Sequence, residues 1–521
     1  MGFEHTLVGV AAAWTFVLAA AGTASAQATT GSPSSWPDGT TSNTPFPRSM
    51  RIKNDIRFSG RYFTAPNAHA DTFYPSWASD GSMYSPYADG QVNGTSVQGY
   101  GSTDNENTAS VRVDGDDPTA LTFTVVSTFG NSPLPYAGRY PSASLVYGGV
   151  WYYGTYALDD LTGPCGNWCT LGPFIGFRQS TDGGKTWTDT KYQPSDPLFG
   201  ESAKNGSKVK FGPVHMVDFG KNMEHSPDGY AYFVSQGANG ANGQANWILG
   251  DAIYLGRVMP TPKNMDDRAS FQFYSGGTWS NNVADAKPIL LWAGRLGNVS
   301  VTFDAPLNDY LMWVCRPHDP STATGSFDTL LLEADQVTGP YRLVTTWMNF
   351  GPQAYFANVP SKFMSADGET MWLLYSANFT NGPTSNPPGS GYDFTLRELT
   401  FTGQSLPDAG QGASGAGGTT DAGKNAGGTT ASAGSSGSGA AGSTKGGSTG
   451  SGGSGGSRST GRGETGGEAK SVDGGAETST MRSDSGCGCR QVRETPSVRA
   501  ALAVGMLACP LLARVRRRAR K

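Results

Sequence analysis

Charge is scarce in this chain, and so is helical periodicity. Only 15% of the 521 residues are charged, and the formal net charge is −4. No basic stripe crosses the aromatic-rich part, which argues against nucleic acid as a partner. Long runs with apolar residues at helical spacing are missing, which leaves short strands separated by Gly, Asp, Asn and Pro turns. Cysteines number six, and three of them (Cys487, Cys489 and Cys509) lie in the last 35 residues. Aromatic residues, by contrast, reach 11%, with 12 Trp and 21 Tyr. Most of these serve core and sheet faces. Sugar-binding clefts also use exposed Trp and Tyr as platforms, so the excess leans toward carbohydrate.

Composition divides the chain into five stretches. Residues 1–26 read as a secretory signal peptide, an apolar run from Thr6 to Ala24 ending in the small-x-small site Ala24-Ser25-Ala26. Its n-region carries Glu4 and His5 and no Lys or Arg, so a retained anchor helix is the alternative. Residues 27–50 form a Ser/Thr/Pro-rich leader. Residues 51–403 hold the aromatic and β-branched residues and form the folded domain. Residues 404–486 are almost wholly Gly, Ser, Ala and Thr, with too little apolar surface to offset the entropy of ordering them. Residues 487–521 combine Cys487-Gly488-Cys489, an apolar stretch from Ala500 to Ala513 and an Arg-rich tail from Arg514 to Lys521. This apolar stretch is short for a span, which needs about 20 residues. The three-part pattern resembles the myxobacterial C-terminal sorting tag, with an ordinary tail anchor as the alternative. That resemblance implies a sorting or processing protease as a partner, membrane contact through the tag alone, and display of the domain at the cell surface on a flexible stalk.

Cys165 and Cys169, in the loop Gly163-Pro-Cys-Gly-Asn-Trp-Cys169, are close enough to form a small disulfide in an oxidising compartment. A CxxxC pair can also contribute to a metal site, but no neighbouring Cys or His completes four ligands. Cys315 is expected in a strand interior.

One unit recurs through the folded part: an apolar strand, a turn of the Asp-Gly kind, then a second strand rich in aromatics. Copies begin near Thr72, Ser142, Pro213, Asn298 and Asn358, with turns at Asp80-Gly81, Gly148-Gly149, Asp228-Gly229, Asn308-Asp309 and Asp367-Gly368. A spacing of 60 to 85 residues suits a four-stranded blade with moderate loops. The expected fold is therefore all-β, a five-bladed β-propeller, with a β-sandwich as the alternative. Ring closure needs an outer strand from the N-terminal side, which Ile52 to Phe63 can supply.

Ser180-Thr-Asp182-Gly-Gly184-Lys-Thr-Trp187 matches the Asp-box of sialidases and related propellers. The resemblance implies a tight turn between outer strands, away from the working face, and carries no catalytic role. Ser365-Ala-Asp367-Gly-Glu-Thr-Met-Trp372 is an incomplete second copy, with Glu369 in place of Gly.

In a propeller the inner strand of each blade starts at the ligand face. That places Asp71, Arg139, His215, Asn298 and Asn358 near the pocket floor, with Asp89, Asp160, Trp247, Asp251 and His318 on rim loops. Glycoside hydrolysis needs one carboxylate as base or nucleophile and a second kept protonated as acid. Asp71 is the first choice for base or nucleophile and Asp89 for its partner. Glu224, in the polar connection Asp218–Gly229, is a further candidate acid if the third inner strand is short; strict geometry puts it on the far side. Arg139, His215, Asp160, Trp247, Asp251, His318 and Asn358 are candidate substrate contacts.

Ala70-Asp71-Thr72 and Tyr87-Ala-Asp89-Gly90 are similar to the two acidic positions that open the DUF4185 pattern, a group that includes endo-D-arabinanases. Phe73 and Tyr74 replace the small residues expected after the first acid. The resemblance implies hydrolysis of furanosidic or similar glycan linkages without a redox cofactor, and the chain is expected to act as a monomer. A structural Ca²⁺ in the central channel is compatible with it, although no dense carboxylate cluster demands one. A non-catalytic carbohydrate-binding adhesin is the rival reading, and a sialidase-like enzyme the third.

Overall fold

A computed structural model describes residues 29–36, 39, 44–52, 56–97, 108–130, 139–159, 170–202, 208–238, 249–319, 325–350, 354–377, 384–385 and 387–401. The signal, linker and sorting segments lie outside these residues, as do Cys165, Cys169, Asp160 and Trp247.

Each of the five sequence units folds as the inner hairpin of a separate sheet. In the first blade, Ala68–Asp71 and Ser76–Trp77 pair with Met83–Val92, followed by Thr108–Asp114 and Thr122–Phe129. The second is Tyr140–Tyr147, Val150–Asp159 and Thr170–Ser180. The third builds outward from Val214–Met216 through Ala231–Gln236 and Gly250–Val258 to Pro288–Leu296. The fourth runs Asn298–Asp304, Asp309–Pro317, Phe327–Ala334 and Arg342–Trp347. The fifth begins with Tyr355–Asn358, Thr370–Ser376 and Thr395–Phe401 and is completed by Ile56–Thr64 from the N-terminal side. The closing strand expected over Ile52–Phe63 is thus in place.

Local chemistry explains the hairpins. Val150 pairs directly with Tyr147, so Gly148 and Gly149 form a two-residue turn, and both take positive φ (59° and 79°) as such a turn requires. The Ser180–Trp187 turn is held by its own side chains: Asp182 accepts from the backbone N–H groups of Lys185 (3.0 Å) and Thr186 (2.9 Å), and Ser180 Oγ from that of Gly184 (2.8 Å). The Thr186 hydroxyl (2.6 Å) first, and then the backbone donors, hold the Asp182 carboxyl well below the usual carboxylate range. The Trp187 ring packs on Trp151 (5.0 Å between centroids) and Phe129 (5.3 Å), and so ties the turn to the seam between the first two blades.

The packing is that of a closed ring. Separate apolar clusters join blades 1 and 2 (Tyr84, Val146, Trp151, Tyr153), blades 2 to 4 (Phe177, Phe233, Val314), blades 4 and 5 (Trp313, Trp347, Leu373) and blades 5 and 1 (Leu374, Leu396, Phe73, Tyr87). A sandwich would bury one face of each sheet in a single core. Here both faces of the inner strands are covered, and Asp309–Pro317 is buried along its whole length. Cys315, on that strand, is buried and free, and burial pushes its thiol up to about 12. No helix among the described residues is long and apolar enough to cross a membrane.

Candidate active site

The inner strands begin at one end of the ring, and there the first, second and fifth blades bring together two carboxyl groups and three tyrosines. Asp71 ends the strand Ala68–Asp71 and is 3% exposed. Tyr355, at the start of the fifth inner strand, donates its hydroxyl to Asp71 Oδ2 (2.9 Å). Tyr140, at the start of the second, donates toward Asp71 Oδ1 (3.4 Å) and Asp89 Oδ2 (2.8 Å), bridging the two acids. A third tyrosine, Tyr392, lies close enough that burial and then the charge of Asp71 raise its pKa. Burial, and then the nearby charge of Asp89, raise the Asp71 carboxyl well above its ordinary value against the opposing pull of these hydroxyls.

A break in strand register aims Asp89 at Asp71. His69 pairs with Gln91 and Asp71 with Ala88, so Asp89 and Gly90 together face one residue of the partner strand. Such a bulge redirects a side chain. Asp89 accordingly sits at φ 54°, a left-handed conformation that is costly for a residue with a Cβ. Gly90 lies so close to the partner strand that a Cβ there would be 2.0 Å from the His69 carbonyl oxygen. Thr72 (φ 60°) and Phe356 (φ 58°) are left-handed too. Among the described residues only four that are neither Gly nor Asn have positive φ, and three of these are Asp89 itself and the residues that follow Asp71 and Tyr355. Strain of about 1–3 kcal/mol per residue is retained where the surrounding structure fixes a working geometry.

Deeper in the channel, Tyr74 stacks obliquely on His215 (4.3 Å between centroids) and meets Phe356 edge-on (5.4 Å). His215 is 3% exposed and neither ring nitrogen has a hydrogen-bond partner. Burial depresses its pKa to about 3, so the imidazole is neutral.

The structure thus brings Asp71, Asp89 and His215 to one end of the ring. Asn358 is close by, but its amide donates to the backbone carbonyls of Phe73 (3.1 Å) and Phe356 (2.8 Å), which gives it a bracing position. Arg139 is turned into the second blade, where it donates to Tyr192 O (2.9 Å) and Gln193 (3.1 Å). Asp251 starts the third strand of its blade at the same end and accepts from the Gly294 N–H (2.8 Å). His318 is half-exposed on the rim, with Nδ1 held by the buried Asp328 (2.8 Å). Glu224 requires a correction. It follows the turn Lys221–Met223, in the connection between Val214–Met216 and Ala231–Gln236. The register of that hairpin carries it to the far end of the third blade, where it is exposed beside His225. Tyr140, Tyr355 and Tyr392 were not expected at the site; the signal that marks the first two is their position as first residues of inner strands. Among the described residues no group of three His, Cys, Asp or Glu side chains is arranged to hold a metal ion.

Several solved structures share the overall arrangement at low similarity. The catalytic domain of a GH62 α-L-arabinofuranosidase from Coprinopsis cinerea is 12% identical with a TM-score of 0.37, over 68% of this chain and 100% of that one. The α-L-arabinofuranosidase of Podospora anserina, solved with cellotriose, is 12% identical with a TM-score of 0.35, over 73% and 98%. A xylan β-1,4-xylosidase from Bacillus halodurans is 11% identical with a TM-score of 0.35, over 61% and 51%. Scores at this level carry no inference about activity. No curated protein matches the chain. Residues 77–378, more than half of the sequence, match the family described as a domain of unknown function, DUF4185, and the chain belongs to that family.

Proposed function

We propose that the protein is a glycoside hydrolase that cleaves a polysaccharide, with an arabinan-like or other furanosidic cell-wall glycan as the substrate class, and that it works outside the cell, held at the surface by its C-terminal segment. One observation carries the catalytic reading: two carboxyl groups bridged by the Tyr140 hydroxyl at the strand-start end of the ring, with Asp71 pushed toward its protonated form. Hydrolysis of a glycosidic bond uses one protonated and one ionised carboxyl, about 5–9.5 Å apart. The two contacts to Tyr140 cap the separation of Asp71 Oδ1 and Asp89 Oδ2 well inside that upper limit.

Sequence position alone favoured Asp71 as base or nucleophile. Burial supports the opposite role. Asp71 is the proton donor to the leaving oxygen, and Asp89, less buried, is the ionised partner that acts as base or nucleophile. A buried carboxyl raised above its ordinary value beside a second acid suits acid–base work, which favours the hydrolase over the adhesin reading.

The test is to incubate the full chain, and its Asp71→Asn and Asp89→Asn variants, with a panel of plant and bacterial polysaccharides and to measure released sugar. Release by the wild type, reduced at least about a thousandfold in both variants, is the expected result. Release that survives either substitution overturns the assignment of that residue, and binding without release from any glycan moves the protein to the adhesin class.

A further inference from the structure

We infer that Asn358 is a positioning residue for the Asp71–Tyr355 pair: its buried amide braces the two left-handed stretches of backbone that aim these side chains at each other. The inference rests on the glycosidase reading only for its kinetic consequence.

The two stretches are built alike. In the first blade Asp71 is followed by Thr72 at φ 60°, and the chain is anchored just beyond, where Tyr74 N–H donates to Ser85 Oγ (2.8 Å). In the fifth blade Tyr355 is followed by Phe356 at φ 58°, and the next carbonyl, of Ala357, accepts from Ser300 Oγ of the fourth blade (2.8 Å). Each left-handed residue therefore lies between an anchored segment and a working side chain, and rotation there swings that side chain. Thr72 is β-branched and Phe356 bulky, so a positive φ is an outlier for both. Such backbone persists where surrounding contacts over-determine it.

Asn358 supplies two of those contacts from one group. Its Nδ2 donates to the carbonyl of Phe356 (2.8 Å), the left-handed residue itself, and to that of Phe73 (3.1 Å), the residue after Thr72. One amide thus fixes the two stretches to each other across the seam between the last and first blades. Between them runs the 2.9 Å bond from the Tyr355 hydroxyl to Asp71 Oδ2. Without the amide, Tyr355 and Phe356 relax toward ordinary backbone and the hydroxyl leaves Asp71. The strand beyond them stays docked, because Ser300 still holds Ala357 O and Thr302 Oγ1 still holds Val359 O (2.6 Å). Asp71 remains faced by Asp89 and Tyr74 from its own blade, Tyr140 and Tyr156 from the second, and Tyr392 from the fifth. The bond that is lost favours the ionised carboxyl, so the Asp71 pKa rises. Asn358 acts through Phe356 and Tyr355 and not on the reacting atoms.

The test uses the full chain with Asn358→Leu, which is close in size and has no donor, and the smaller Asn358→Ala. Titration of the Asp71 carboxyl is followed by carbon NMR, its signal identified by absence in Asp71→Asn. Both variants should show a pKa about one unit above wild type. In a Tyr355→Phe background the same substitutions should move it little, because the bond is already gone. For the polysaccharide the wild type hydrolyses, the basic limb of kcat/KM against pH should move upward by the same amount. An Asp71 pKa unchanged in a folded variant, or collapse of the fold in both, refutes the brace whether or not any glycan is cleaved. A shift of equal size in the Tyr355→Phe background refutes the route through Tyr355. A shifted pKa with an unmoved basic limb refutes the positioning role in catalysis. A wild type that cleaves nothing, with the Asp71 pKa shifted in the variants, upholds the brace and overturns the glycosidase reading instead.

Discussion

Replacing Tyr355 by Phe should distinguish the two possible roles of Asp71. Tyr355 is 1% exposed, and its ring is fixed against Phe356 (4.4 Å between centroids) and Phe327 (6.0 Å), so a phenyl ring occupies the same place. The loss is one hydroxyl that donates to Asp71 Oδ2 at 2.9 Å. That bond favours the ionised carboxyl and is foremost among the influences that lower its pKa. A hydrogen bond to a charged group contributes about 1.5–3 kcal/mol. At 1.36 kcal/mol per pH unit, its removal raises the Asp71 pKa by about 1–2 units. If Asp71 is the proton donor, it must be protonated to work, so the basic limb of kcat/KM against pH moves upward by that amount and the acidic limb stays where it was. If Asp71 is the base, it must be ionised, and the acidic limb moves instead. The assay is sugar release from the identified substrate between about pH 4 and 10, with the urea midpoint of each variant measured alongside. A displaced acidic limb, or a profile with neither limb moved, refutes the assignment.

Gly90→Ala places a methyl group 2.0 Å from the His69 carbonyl and 2.6 Å from Ala70 Cα, both backbone atoms without room to yield. We expect about 3 kcal/mol of destabilisation by urea titration, together with loss of sugar release; wild-type values for both would show that the bulge is dispensable. Asp304 is fully buried, burial lifts its carboxyl to about 7, and only one oxygen is bonded, to the Leu307 N–H (3.2 Å). Because the folded value lies above the unfolded one, the wild type holds this contribution below about pH 4 and loses it as pH rises through about 7. Asp304→Asn should therefore gain stability relative to wild type by about 2–4 kcal/mol between pH 4 and pH 8.5. A difference that does not vary with pH would overturn that account.

The ring was legible from sequence because its signals are local. Asp-Gly and Gly-Gly turns announce hairpins, five copies at similar spacing announce blades, and the leftover strand before the first copy has to close the circle. Asp71 and Asp89 were legible for the same reason: each can be counted from a turn. The tyrosines were not. Tyr140 and Tyr355 read as two more core aromatics, and their partner at Asp71 lies 69 and 284 residues away respectively. The bulge at Asp89-Gly90 was equally hidden, since it depends on how the strand meets its neighbour. Register also explains the neighbouring choices. Arg139 and Asn358 flank the inner-strand starts, but one or three residues along a pleated strand decide whether a side chain meets the channel or the next blade.

The fifth sheet takes its members from both ends of the domain, with Ile56–Thr64 lying beside Thr395–Phe401. Asp71 sits just past this seam on one side, while Tyr355 and Tyr392 arrive with the last blade on the other. A ribosome-bound chain therefore carries both carboxyls and Tyr140 long before it carries the Tyr355 hydroxyl that donates to Asp71. Until the fifth sheet closes, Asp71 lacks the Tyr355 contact and part of the burial that shift its affinity for protons. A chain that ends before Thr395 therefore lacks the strand that joins the two ends of the ring and closes the site.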